Sequence, residues 1–195
     1  MCLQSLRQHT TPRTEMRAAR KLLLTIVVIT SNNWVVPGKL LAEIRQTKPF
    51  DLLEEEAVLN IARTAEVLSQ NQAAFLREYG LSLTQYNVLR ILRGAGSPGI
   101  TCSQIGERMI NHDPDITRLL DRLESRALVT RERSKEDRRV VLTTITADGL
   151  VLLGSIDKPL RKYLRERMGG MARASLEALI GHLEQVRELF ALSKE

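Results

Sequence analysis

Basic side chains are concentrated in one part of the sequence, between Arg118 and Arg139, where eight of them stand against five acidic ones. Guanidinium and ammonium groups bind phosphates and the edges of guanine, so such a cluster is typical of a nucleic-acid interface. The formal net charge of +6 does not support this inference by itself, because residues 1–48 alone account for it. The cluster has to be judged by the elements that carry it.

Residues that could carry catalysis or bind a metal are scattered. Cys2 and Cys102 lie far apart, and the three histidines form no metal-ligand spacing. The sequence has no glycine-rich phosphate loop, no Ser/His/Asp signature and no carboxylate pair on a buried stretch. We therefore expect no enzyme, no metal, no cofactor and no disulfide framework.

An amphipathic helix is predicted to begin at Asp113. This residue supplies an N-cap acceptor, Pro114 suits the first helical position, which needs no backbone donor, and Asp115 is favoured by the helix dipole. Apolar residues then recur at helical spacing and predict one buried face, formed by Ile116, Leu119, Leu120 and Leu123. The opposite face is free to meet a partner and presents Thr117, Arg118, Asp121, Arg122 and Ser125.

A charged hairpin is predicted directly after this helix. Residues 128–133 and 139–145 are rich in Val, Thr and Leu, and the polar residues 134–138 lie between them. A helix that runs into such a ribbon can lie in one DNA groove while the ribbon covers the neighbouring groove. The two elements together predict a DNA-binding lobe.

Three helices are predicted upstream of this lobe's amphipathic helix. The first covers about residues 50–79 and begins with an acidic turn. Thr84 is predicted to cap the second, which ends at the loop of residues 94–99. Thr101 and Gln104 have the spacing of a capping box that opens the third. The third helix, a short turn and the amphipathic helix form a predicted helix-turn-helix.

Two long helices are predicted after the hairpin. Thr146 caps the first, Pro159 is expected to kink it, and Gly169 and Gly170 end it. The second carries an apolar stripe that is wide enough to need a partner, formed by Leu176, Leu179, Ile180, Leu183, Val186 and Phe190. One alternative is a monomer that folds these stripes onto itself. We expect instead a homodimer joined through both chain ends, since symmetric DNA readers pair two half-sites.

Residues 1–48 differ in composition from the rest of the chain. Basic residues precede the apolar run 22–29, which is far shorter than the ~20 residues that span a bilayer. No small-x-small cleavage site follows the run. A misplaced translation start, a disordered or loosely helical extension and a targeting segment stay open as interpretations. We expect a cytoplasmic protein without a membrane partner.

An ordered set of motifs resembles the MarR (multiple antibiotic resistance regulator) family of winged-helix transcriptional regulators. The set covers about residues 50–190 and consists of YGLSLTQYNVL at 79–89, CSQIGERM at 102–109, the stretch 113–129, DRR at 137–139 and TADG at 146–149. Ala127 and Ala172 depart from the family pattern, in which a Gly more often precedes the wing and a Ser or Thr usually caps the last helix. Neither departure touches a residue that is expected to contact DNA.

The resemblance implies a mainly α fold with a small β-wing. A winged helix-turn-helix lobe would cover about residues 82–145, with dimerisation helices at about 50–79 and 147–191, in a domain of residues 49–195. It also implies a homodimeric repressor that binds a palindromic operator and that a small molecule or an oxidant can release. The implied partners are double-stranded DNA, a second copy of the chain and a small-molecule effector.

The predicted DNA contacts lie on the amphipathic helix and the wing: Asp115, Thr117, Arg118, Asp121, Arg122, Lys135, Asp137, Arg138 and Arg139. By the resemblance, Arg139 would approach the minor groove, whose negative potential attracts an arginine. Asp137 would orient the wing through a charge-assisted contact. The alternative is a solvated helix face on which the charged residues pair with one another.

Two further sites stay open in the sequence. Phe75, Tyr79 and Tyr86 are candidates for a ligand pocket but are equally good core residues. Cys102 opens the third helix, whose N-terminus could make it redox-active, although a packed side chain is the commoner role. A winged helix that binds only protein is the remaining alternative to a DNA reader.

Overall fold

The computed structural model describes residues 38–111 and 115–191 of the 195-residue chain. Its helices are α1 (Lys39–Glu43), α2 (Leu53–Arg77), α3 (Leu83–Ala95), α4 (Cys102–Arg108), α5 (Ile116–Glu124), α6 (Ala147–Met168) and α7 (Arg173–Ala191). The strands β1 (Val129–Arg133) and β2 (Val141–Ile145) form one antiparallel sheet between α5 and α6. The predicted mainly α fold with a small β-wing is confirmed.

Two compact units divide the chain at residues 64 and 65, so that the boundary falls inside α2. In the first unit, α2 begins with three glutamates, as predicted, and Arg63 forms an ion pair with Glu43 of α1 at 4.0 Å. The helix α1 shows that part of the predicted N-terminal extension is helical. Residues 1–37, with the apolar run 22–29, lie outside the described residues. The following description concerns the second unit.

Two capping boxes fix the starts of α3 and α4. The cap of α3 is Ser82 and not the predicted Thr84: the Ser82 hydroxyl accepts a hydrogen bond from the Gln85 amide at 3.1 Å, and the Gln85 side chain accepts one from the Ser82 amide at 3.0 Å. Ser82 has extended backbone angles, whereas Thr84 already lies inside the helix and its hydroxyl contacts that of Ser82. The predicted box of Thr101 and Gln104 is present at α4.

The joint between α5, the wing and α6 is built around Ala127 and Thr146. The backbone of Ala127 has a φ of 55°, a left-handed conformation that favours glycine. The Thr146 hydroxyl donates a hydrogen bond to the Ala127 carbonyl at 2.7 Å and accepts one from the Gly149 amide at 3.0 Å. Thr146 therefore caps α6, as predicted, and also holds the start of the wing.

A single apolar core lies beneath these elements. α3 contacts α4, α5, α6 and β2, and it contributes fully buried side chains such as Val88 and Leu89. Leu119, Leu120 and Leu123 of α5 are buried in the same core, as the helical spacing predicts. α6 continues through Pro159 to Met168, so the proline does not end it, and a kink there stays a prediction. None of the described helices has the length and apolar character of a membrane span.

Two glycines of α6 provide a matched test of this packing. A Cβ on Gly149 would overlap the Leu128 carbonyl oxygen and lie 2.7 Å from Cγ1 of Ile145, whereas Gly154 has nothing within 4 Å. Gly149→Ala should therefore lower the free energy of unfolding, although alanine favours helix. Gly154→Ala should raise that free energy by up to about 1 kcal/mol. Urea denaturation measures both, and equal effects at the two positions would contradict the close approach at Gly149.

Candidate nucleic-acid interface

The start of α5 differs from the prediction. Asp113 and Pro114, which were expected to open the helix, lie outside the described residues, and the helix begins at Ile116 with Asp115 as its N-cap. The Asp115 carboxylate accepts a hydrogen bond from the Arg118 amide at 3.3 Å and lies 3.2 Å from the Arg118 guanidinium. A carboxylate at this place satisfies an amide that has no partner within the helix. Asp115 thus has a structural role as the N-cap of α5, independent of any contact with DNA.

The face of α5 opposite the core is open to solvent, as the spacing predicts. Its exposed side chains are Thr117, Arg118, Asp121, Arg122 and Ser125. The side chain of Arg118 is 78% exposed in spite of its ion pair, so its guanidinium is available to a further partner. Among the described residues, Arg122 forms no ion pair. The alternative of mutually paired charges applies to Asp115 and Arg118, whereas Asp121 pairs elsewhere.

Arg131 on β1 is the partner of Asp121, and sequence reasoning did not select it. The Arg131 Nη2 atom lies 2.6 Å from Oδ1 of Asp121 and also contacts Oε2 of Glu124, to which Nε donates at 2.9 Å. The hydrogen bond to Glu124 raises the pKa of the Arg131 guanidinium. The sequence did indicate that Arg131 would be partly buried, because side chains alternate between the two faces of a strand and Arg131 lies on the same face as the buried Val129.

The tip of the wing is held by short polar contacts. The Ser134 hydroxyl accepts hydrogen bonds from the amides of Glu136 at 3.2 Å and Asp137 at 3.5 Å. The Asp137 carboxylate accepts one from the Arg139 amide at 2.9 Å, which supplies a charge-assisted contact of the predicted kind through the backbone. The Ser134 amide donates to the Val140 carbonyl at 2.8 Å and closes the turn. Residues 139 and 140 therefore belong to the turn, not to the predicted strand.

Three cationic side chains project from this turn. Lys135, Arg138 and Arg139 are exposed, and none of them forms an ion pair with the rest of the described chain. Within residues 38–111 and 115–191, their guanidinium and ammonium groups are therefore available to an external partner. The described residues contain no group of three or more His, Cys, Asp or Glu side chains that could hold a metal ion.

The three aromatic residues proposed for a pocket separate into two environments. The Phe75 ring lies 5.5 Å from that of Tyr79 and 5.0 Å from that of Tyr163 on α6, a residue that sequence reasoning missed because the contact is long-range. Tyr86 is a buried core residue, and burial raises the pKa of its phenol. Cys102, the first residue of α4, is half-buried and packs against the core, which favours the structural interpretation of this thiol.

Comparisons with known proteins agree on one family. The family model described as "MarR family" matches residues 81–141, from the end of the α2–α3 turn to the start of β2. The HTH-type transcriptional regulator PrsX of Escherichia coli is 26% identical over 163 residues, which cover 80% of this chain and 98% of PrsX. A crystal structure of a MarR transcription factor from Planctomyces limnophilus is 39% identical and covers 70% of this chain and 98% of its own, with a TM-score of 0.54. The MepR-DNA complex of S. aureus, 17% identical over 67% of this chain and 96% of its own with a TM-score of 0.61, shares the fold.

The contact of Asp137 with the wing backbone can be tested without DNA. Asp137→Ala removes the carboxylate that accepts the Arg139 amide, so hydrogen exchange at that amide should accelerate by roughly tenfold. Glu136→Ala is the matched control, because the Glu136 carboxylate forms no hydrogen bond or ion pair with the described residues. Exchange measured by NMR at Arg139 distinguishes the two variants. Equal exchange in both would show that the carboxylate does not hold the tip.

Proposed function

The chain belongs to the MarR family of transcriptional regulators, and from that premise we propose that it is a homodimeric repressor that binds a palindromic operator. The observation that carries the proposal is the combination of α5 and the wing, which share one core and present unengaged cations on adjacent elements. Such a pair can follow DNA across two neighbouring grooves. MepR, which shares the fold, is bound to DNA in its own structure.

In this proposal α5 lies in the major groove, which is wide enough to admit a helix. Thr117, Arg118 and Arg122 project from its exposed face and would contact base edges and phosphates. Asp115 and Asp121, which the sequence also suggests as contacts, form ion pairs with Arg118 and Arg131. Specificity on α5 therefore depends on few side chains, and of these Arg118 is restrained by its ion pair with Asp115.

The wing supplies the second contact. Lys135, Arg138 and Arg139 would lie at the minor groove, where negative potential is concentrated. Residues 49–195 carry equal numbers of acidic and basic side chains, so general attraction to DNA is weak in this part of the chain. In residues 49–195, affinity must therefore come from the cations that the wing and α5 would place close to the phosphates.

The homodimer is supported by the surface of α7. None of the 19 residues of this helix is buried, although several of them are large and apolar. Leu179, Ile180 and Phe190 lie along one stripe and are 39%, 55% and 64% exposed. An apolar stripe of this width on a helix requires a partner. A second copy of the chain would cover the stripe with the same stripe and would place two α5 helices at two half-sites.

A small-molecule effector would meet the aromatic cluster of Phe75, Tyr79 and Tyr163. The three side chains are partly exposed, and two of the ring pairs are tilted at 5.0 and 5.5 Å between centroids. Arg167 lies over the Tyr163 ring at 5.5 Å and supplies a cation beside the cluster. This arrangement suits a flat ligand with a negative group.

Operator binding can be tested on duplexes that the purified wild-type protein selects from a random DNA library. Arg139→Ala should weaken binding by about 1–3 kcal/mol per half-site. It should also make the slope of log K for DNA binding against log salt concentration shallower by about one unit for each lost phosphate contact. Arg161→Ala on α6 removes the same charge from an exposed site outside the proposed interface and should leave both quantities unchanged. Fluorescence anisotropy over a range of salt concentrations measures them.

Three outcomes of this experiment are distinct. Selection of a palindrome supports a dimeric DNA reader. Selection of DNA with unchanged affinity in Arg139→Ala removes the wing assignment alone. Failure to select any duplex defeats the proposed function and favours a winged helix that binds protein.

The dimer can be tested independently of DNA. Leu179 is already exposed within the protomer, so Leu179→Glu should leave the fold intact. In the dimer, each buried carboxylate would cost on the order of 3 kcal/mol, and the variant should sediment as a monomer. Gln185→Glu is the matched control, because helical spacing places Gln185 opposite the stripe. Sedimentation of Leu179→Glu as a dimer would exclude α7 from the interface.

A further inference from the structure

The wing and α5 are tied together by one arginine. The guanidinium of Arg131 on β1 spans two carboxylates that lie one helical turn apart on α5, those of Asp121 and Glu124. The Arg131 side chain is 27% exposed, the lowest value among the ion-paired side chains of the described residues. No other ion pair in the described part of the chain joins the ribbon to α5. Arg131 is thus the main polar link between the two proposed DNA-binding elements.

The opposite edge of the ribbon is anchored by backbone. Arg131 pairs with Thr143 on β2, and Thr143 is 1% exposed. The Thr143 amide donates to the Ile100 carbonyl at 2.8 Å, and the Ile100 amide donates to the Thr143 carbonyl at 3.1 Å. Ile100 directly precedes Thr101, the cap of α4. The middle of the ribbon is therefore held on one side by the segment before α4 and on the other by α5.

Resting on the proposed function, we infer that Arg131 is a positioning residue for DNA binding. It sets the placement of the wing relative to α5, so that the wing tip meets the minor groove when α5 lies in the major groove. A two-stranded hairpin is marginal by itself, and its direction depends on what it is attached to. The guanidinium is engaged by two carboxylates, and it acts on DNA through the elements it joins.

Arg131 has a second, electrostatic consequence. Asp121 lies on the exposed face of α5, so its unpaired carboxylate would repel nearby phosphates. Removing the arginine would therefore have two effects: the wing would lose its fixed placement relative to α5, and two carboxylates would lose their cationic partner. The two effects can be separated, because Asp121→Asn together with Glu124→Gln removes the negative charges without restoring the link.

The test uses full-length protein and duplexes that the wild type selects. Dimethyl sulfate modifies guanine N7 in the major groove and adenine N3 in the minor groove, so protection at each reports on one element. Arg131→Met should weaken binding about tenfold or more and lose minor-groove protection while it keeps major-groove protection. Arg93→Met is the matched control. It removes the same charge and also breaks an ion pair, that of Arg93 on α3 with Asp157 on α6 at 2.8 Å, which does not involve the wing or α5. It should keep both protections.

A triple variant separates position from charge. Arg131→Met with Asp121→Asn and Glu124→Gln should recover part of the affinity but not the minor-groove protection. Full recovery of both would reduce the role of Arg131 to charge neutralisation and overturn the inference. Arg131→Lys keeps the charge but cannot span both carboxylates with two parallel donors, and it should give intermediate minor-groove protection. This variant carries the test if Arg131→Met does not fold.

The failure of the inference differs from the failure of the proposed function. If the wild-type protein selects no duplex, the proposed function falls and the role of Arg131 falls with it. If the wild type protects both grooves and Arg131→Met and Arg131→Lys protect both equally well, the inference alone is overturned. Urea denaturation of each variant before footprinting shows whether it is folded.

Discussion

A two-stranded ribbon buries too little surface to fix its own direction, and the winged-helix lobe of this protein is organised around that constraint. The ribbon is attached at three places: through the Thr143 backbone to Ile100, through Arg131 to α5, and through Thr146 to the Ala127 carbonyl. Each attachment leads to a different neighbouring segment. The orientation of the wing is therefore set by its attachments to the lobe formed by α3, α4 and α5. Because the tip does not have to pack against a core, it can consist almost entirely of polar residues.

The helix α5 meets opposite demands on its two faces. It has only nine residues, too few to be stable alone, so Leu119, Leu120 and Leu123 must be buried to hold it. The exposed face can then carry charge without cost to the core. Asp115, the N-cap of this helix, pairs with Arg118, and its two acidic residues, Asp121 and Glu124, pair with Arg131, so among the described residues the other basic side chain of the helix, Arg122, forms no ion pair. Burial and ion pairing thus leave α5 with an exposed face that suits the proposed phosphate contacts.

Local chemistry explains which parts of the fold could be predicted. The capping box at Thr101 and the cap at Thr146 follow from residues three positions apart, and the buried stripe of α5 follows from helical spacing. The errors arise where neighbouring residues have the same capping ability, as with Ser82 beside Thr84 and Asp115 beside Asp113. The Arg131 link and the Phe75–Tyr163 contact depend on tertiary packing, which no local spacing determines. The exposed face of α5 could therefore be predicted from the sequence, but the ion pairs that hold its side chains could not.

The position of α6 connects the proposed dimer to the proposed DNA contacts. Its N-cap, Thr146, is bound to the Ala127 carbonyl between α5 and β1, and its middle is bound to α3 by the two hydrogen bonds of Arg93 with Asp157 at 2.8 and 3.3 Å. Farther along, Tyr163 stacks with Phe75. The first two contacts join α6 to the lobe, and the third joins it to the end of α2. In the proposed dimer, a ligand that altered the packing of Tyr163 would change the angle of α6 relative to the second protomer, and the proposed contacts of α5 and the wing with a half-site would change with it.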